Sequence, residues 1–191
     1  VPDLHGWITQ QIDTVEAAAR AATDGPWHVT EYDYPTDFAA GIGTALGEVD
    51  VVGHGYEGGG VEHLADARHI AFHDPAAVLR RCAADRKIIA RHQLDPDVYW
   101  APACAGCGTY GDQDMPYTDN LNECPELLDL AEGYGITTEI LAGLDQPTPP
   151  ERPAPRPGGI YSALHAAIPA HSPRRGDVPP TLRGPNWKTS P

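Results

Sequence analysis

Cys104-Ala105-Gly106-Cys107-Gly108 sets two thiols three positions apart, and Cys124-Pro125 supplies a third. In a Cys-x-x-Cys turn both sulfurs reach one ion while the turn amides face them, and Gly108 gives the backbone the freedom such a knuckle needs. Structural zinc takes four N or S donors in a tetrahedron, so one ligand remains to be found. His92, twelve positions before Cys104, is the first choice. Cys82 is the second, although its place in an apolar stripe fits a small core residue; His73 is the third. Cys124 stands at the head of a predicted helix, where the helix end favours a thiolate. The expected group is structural Zn2+ on His92, Cys104, Cys107 and Cys124. Three thiolates leave a metal a poor Lewis acid, and no glutamate base adjoins the cysteine pair. A thioredoxin-like redox role lacks the surrounding βαβ pattern.

Two further patterns carry weaker chemistry. His69-Ile70-Ala71-Phe72-His73 places two histidines one helical turn apart, with Asp74, Asp66 and His63 near in sequence. A zinc protease would need Glu where Ile70 stands; the plainer reading is that these histidines pack and cap between two helices. Gly53-His54-Gly55-Tyr56-Glu57-Gly58 matches G-x-G-x-x-G, but no parallel βαβ unit surrounds it, and Glu57 would face the pyrophosphate. A flexible turn is the better reading.

The elements that must position these residues are readable from periodicity. Asp3 caps a helix carrying Leu4, Ile8, Ile12, Val15 and Ala19 at helical spacing, with Trp7 beside them. Asp24-Gly25-Pro26 ends it, the glycine as a left-handed cap. Trp27–Tyr34 and Gly47–Val52 suit strands, with residues 35–45 read as a loop or a short hairpin connection and Glu31–Asp37 as a solvated acidic surface. A helix from Val61 or Leu64 runs to His73. Asp74-Pro75 opens another, with Val78, Leu79, Cys82 and Ile89 on one side, reaching about His92. Its basic residues Arg80, Arg81, Arg86, Lys87 and Arg91 read as a solvated face. Cys124-Pro125 starts a helix with Leu127, Leu130, Ala131 and Tyr134 as its apolar stripe, stopped or kinked by Gly133 and Gly135.

Charge is unevenly spread. Residues 1–150 carry 7 basic and 25 acidic side chains, and residues 151–191 carry 6 basic and 2 acidic. An acidic body repels phosphate backbones and anionic membranes, which argues against nucleic-acid binding by the body and against a membrane partner. No apolar run reaches the length of a membrane span and no signal-peptide pattern opens the chain. Four cysteines, none in the first 81 residues, suit a metal site better than a disulfide framework. The expectation is a soluble protein made in a reducing compartment, cytoplasmic when synthesised.

Composition changes near Gln146, and 12 of the 20 prolines lie between Pro147 and Pro191. Such a segment reads as an extended arm without its own core. Within it, Ile160, Leu164, Ala167 and Ile168 make a short amphipathic stretch suited to a groove. The predicted organisation is a helix and short-sheet domain over 1–93, a zinc-knuckle and helix module over 94–145, and a Pro-rich basic arm over 146–191. The fold class expected is α+β with a short antiparallel sheet.

Gly25-Pro26-Trp27, the run Asp66 to Ala76 (Asp-Ala-Arg-His-Ile-Ala-Phe-His-Asp-Pro-Ala), Cys104 to Gly108 and Cys124 to Leu127 together resemble a family of small uncharacterised proteins from actinobacteria and their phages, a domain of unknown function. The resemblance covers roughly residues 3–134. It implies that context and no established activity, and its members often keep a histidine where His92 stands. Gly135 to Pro191 has no counterpart in that pattern.

These features point to a non-enzymatic structural or interaction protein locked by zinc, related to phages and part of a virion as an accessory or decoration protein. Residues 147–191 would anchor it to a capsid or other virion protein. No catalytic residue and no organic cofactor is assigned. The alternatives are an intracellular acidic regulator that imitates nucleic acid, and a metal-dependent enzyme using His69, His73 and Asp74.

Overall fold

The computed structural model describes residues 1–31, 40–44, 49–53, 59–152 and 154. The chain divides into two units, Val1–Glu151 and Arg152–Pro191. The expected arm island at Ile160, Leu164 and Ile168, nearly all of Gly53–Gly58 and most of the acidic stretch 31–37 lie outside the described residues.

The first unit is a small α+β domain with short antiparallel sheets. Helix α1 (Leu4–Ala21) begins where Asp3 accepts from Gly6 N at 2.8 Å. Its predicted stripe is buried at Leu4, Ile8, Ile12 and Ala19, while Val15 is left 37% exposed on the rim of a cleft. The helix ends earlier than Gly25, at an extended Ala22 whose N–H still reaches Ala18 O. Gly25 is therefore no left-handed cap. Its role is close approach, since a Cβ there would meet the Asp74 carboxylate at 2.9 Å.

Strands β1 (Trp27–Glu31), β2 (Ala40–Thr44) and β3 (Asp50–Val52) form an antiparallel sheet in that order. β2 corrects the expectation of a loop over 35–45. Ala40-Gly41-Ile42-Gly43-Thr44 has weak strand propensity, but it pairs on both sides and buries Ala40 and Ile42 completely against Ala67. The register shifts between Ile42 and Gly43. Helix α2 (Leu64–Phe72) covers this sheet, and Trp27, Val29, Val52, Leu64 and Ile70 complete a small core of its own.

Helix α3 (Pro75–Arg91) follows directly, with Pro75 at its first position and Asp74 accepting from Ala77 N at 2.6 Å. It pairs with α1. Arg86 donates to Glu16 at 3.0 Å and also to Asp13, so this arginine joins the two helices and is not merely solvated. After α3 come a single 3-10 turn (Ala105–Cys107), the hairpin β4 (Thr109–Tyr110) and β5 (Met115–Pro116), a second 3-10 turn (Leu121–Glu123), α4 (Pro125–Gly133) and a short α5 (Thr138–Ala142). Leu4, Ile8, Ile12, Ile89, Leu121 and Leu127 share one buried cluster with Cys104 and Cys124. Each such aliphatic side chain contributes about 1.5–3 kcal/mol on leaving water. Among the described residues no helix is long and apolar enough to cross a membrane.

Candidate metal centre

Three separate elements deliver the ligands. His92 is the C-cap of α3, its N–H bonded to Ile88 O, and the end of that helix holds the ring buried. The Cys104 strand segment is held by Asp95 N to Ala103 O, by Cys104 N to Thr118 O and by Ala105 N to Gln93 O, which lays the knuckle against the residues after His92. Gly108, at φ 77°, turns the chain out of the 3-10 turn into the hairpin. Gly106 is needed for space: a Cβ would stand 2.6 Å from His92 Nδ1 and 2.7 Å from Arg91 O. Cys124 is the N-cap of α4, with Pro125 at the first helical position.

The four side chains converge on one point. His92 Nδ1 lies 3.5 Å from Cys104 Sγ, 3.4 Å from Cys124 Sγ and 3.9 Å from Cys107 Sγ. Cys124 Sγ is 3.6 Å from Cys104 Sγ and 3.5 Å from Cys107 Sγ. Disulfide sulfurs would sit at about 2.05 Å, so these are separate thiols. Zn–S bonds of about 2.3 Å and Zn–N bonds of about 2.0 Å place tetrahedral ligand atoms roughly 3.5–3.8 Å apart. The observed spacings fit that tetrahedron, so these four residues could hold a metal ion.

Electrostatics of the metal-free thiols runs against one expectation. The Leu127 N–H at the head of α4 does favour a Cys124 thiolate, but burial outweighs it and pushes this thiol well above its ordinary value. Burial likewise raises Cys104, opposed by the amides of Cys107 and Gly106. The turn amides therefore face the sulfur, as the knuckle spacing predicts. A bound dication would supply the missing charge and displace the protons. Three sulfurs and one imidazole would supply the four donors of a tetrahedral ion.

Glu126 is a contributor that spacing alone misses. Its carboxylate receives the Cys107 and Cys124 thiols at 3.6 Å each and stands 4.0 Å from His92 Nδ1. The sequence signal is its place two residues after the Cys124 cap, where a side chain of the first helical turn hangs beside the cap.

The other candidates are placed elsewhere. Cys82 is 2% exposed in the core on α3, apart from the four, and burial raises its thiol. His73 Nδ1 donates to His69 O at 2.9 Å, and the two exposed rings meet at a 55° tilt with centroids 4.5 Å apart. Asp74 serves as the α3 cap. Among the described residues the only group of three or more His, Cys, Asp or Glu placed so that it could hold a metal is the one around His92. A cleft of about 480 Å3 lies between α1, α3 and α4, edged by His73, Val78, Arg81, Cys82 and Asp85. Tyr134, predicted in an apolar stripe, closes it by donating to Asp85 Oδ2 at 2.6 Å. Burial and that carboxylate hold its phenol protonated far into the alkaline range.

The model of a family of unknown function, DUF6221, matches residues 1–135. The chain belongs to DUF6221. All four candidate ligands and helices α1 to α4 fall within the DUF6221 span, whereas α5 and everything beyond it fall outside. That an uncharacterised family covers this part of the chain is what the sequence resemblance implies. No curated protein and no solved structure matches it.

Proposed function

We propose that this DUF6221 protein is a non-enzymatic interaction protein whose fold is locked by structural zinc at His92, Cys104, Cys107 and Cys124. The observation that carries the reading is the convergence of His92, Cys104, Cys107 and Cys124, with Cys104 and Cys124 inside the same buried cluster as Leu4, Ile8 and Leu127 and Cys107 packed against it. Four donors, three of them buried, would fill a tetrahedral ion and suit a staple, because catalytic zinc keeps an open position. Such a protein works by binding. The assembly role we favour is in a phage-related particle, as an accessory or decoration protein made in the cytoplasm and carried on the virion, with residues 147–191 gripping a capsid or other virion protein.

Elemental analysis of the purified chain tests the zinc. One equivalent, lost together with the fold on Cys104→Ser, supports the staple; a second exchangeable metal lost on His73→Ala would favour an enzyme using His69, His73 and Asp74. Removal of residues 147–191 tests the anchor, and unchanged association with assembled particles would refute it. The acidic-regulator reading retains one supporting observation: from His92 to Glu151 the chain has 12 carboxylates and no lysine or arginine.

A further inference from the structure

The hairpin that leaves the metal knuckle presents an aromatic face that nothing in the first unit explains. Tyr110 and Met115 are cross-strand partners, and Tyr117 follows Met115 by two positions. Partners in an antiparallel pair share a face, and so do residues two apart in a strand. The three side chains therefore line one side, while Pro116 on the other side is buried. Tyr110 is 51% exposed, Met115 39% and Tyr117 68%, and the two rings meet at 5.1 Å between centroids with a tilt of 44°. Large exposed apolar side chains gathered on one face mark a contact site.

Charge selects the occupant. The turn joining β4 to β5 carries Asp112 and Asp114, Asp119 follows Tyr117, and all three are exposed. No lysine or arginine occurs from His92 to Glu151. Two tilted rings among carboxylates attract a cation through the negative faces of the rings and through the surrounding field. A base-stacking platform for single-stranded nucleic acid would need basic residues along the backbone track, and here phosphates would be repelled. A second copy of this face would repel itself for the same reason.

We propose that the Tyr110–Met115–Tyr117 face binds an extended, arginine-bearing segment of a partner protein, with a guanidinium seated on the tyrosine rings and flanking charges met by Asp112, Asp114 and Asp119. Arginine suits the site better than lysine because its planar group stacks on aromatic faces. The proposal does not depend on which metal occupies the knuckle, and it uses none of residues 147–191.

The test uses the metal-loaded full chain and a labelled synthetic peptide of alternating arginine and glycine, read by fluorescence anisotropy. Tyr117→Ala and Tyr110→Ala are each expected to weaken binding roughly three- to tenfold, whereas Tyr117→Phe, which keeps a ring, stays within about twofold. Melting temperatures should match the parent because the rings are exposed. Asp112→Asn with Asp114→Asn keeps the rings and should give a smaller loss that vanishes at high salt; asparagine also tolerates the left-handed backbone at Asp114, φ 49°. Absence of peptide binding would overturn the proposal. So would alanine variants that bind like the parent, or a single-stranded oligonucleotide that binds more tightly than the peptide.

Discussion

Gly106 is the residue with least room to change. The His92 imidazole and the Arg91 carbonyl occupy the space a side chain would need, so Gly106→Ala must push His92 off the sulfurs. We expect metal affinity to fall roughly 10–100-fold, the range seen when groups that orient a ligand are altered, measured by competition with a chromogenic chelator. Cys82→Ala is the contrasting change. It leaves the four donors intact, so metal content should hold, while the small cavity lowers stability by about 1 kcal/mol in urea titration. The same residues show what was legible in the sequence. Three thiols were plain from the Cys-x-x-Cys spacing and the Cys124-Pro125 cap, while the fourth donor stayed open among His92, the first choice, Cys82 and His73. Gly106 and Glu126 were not, because close approach and the overhang of a first-turn side chain exist only once α3 and α4 converge.

At the scale of elements, the helices announced themselves through their caps: Asp3, Asp74-Pro75 and Cys124-Pro125 each open the helix that spacing predicts. β2 did not, since two glycines in five residues hide a strand that exists by virtue of its neighbours. Also hidden was the Arg86 bridge between α1 and α3, whose effect should be visible in acid. Hydrogen bonding from Arg86 holds Glu16 below its usual 4.5. A carboxyl with a lowered folded value stabilises fully above its unfolded value, and that contribution is lost as pH falls through the folded one. Melting temperature should therefore drop as pH passes below about 4.5, and Glu16→Gln should flatten that drop; an unchanged profile would show that the pair does not hold the helices. Asn122 joins elements from further apart. Its side chain accepts from Leu4 N at 2.9 Å and donates to Asp145 O at 2.9 Å. Asn122→Ala leaves a buried N–H without a partner and should cost about 1–3 kcal/mol, read from chemical denaturation.

For the whole first unit, the placement of Cys104 and Cys124 inside the main cluster means that an ion held there would tie metal retention to global folding. Stripping the metal with a strong chelator should lower the melting temperature of the helical signal and of tyrosine fluorescence together. A helical transition unmoved by chelation would mean that the knuckle melts alone. The smaller cluster of Ala40, Ile42 and Ala67 is a separate core, and its amides should exchange with solvent sooner than those of α1 and α3. A different kind of consequence follows from the hydrogen bond of Asp145 N to Pro2 O at 3.2 Å. The backbone of this unit is almost a closed ring, so its linear order is close to arbitrary. A version of this unit rewired to join Asp145 to Pro2 through a short glycine bridge, with the chain opened within 111–114, should reach the same fold, as permuted proteins do when the joined positions are neighbours and the opening falls in an exposed turn.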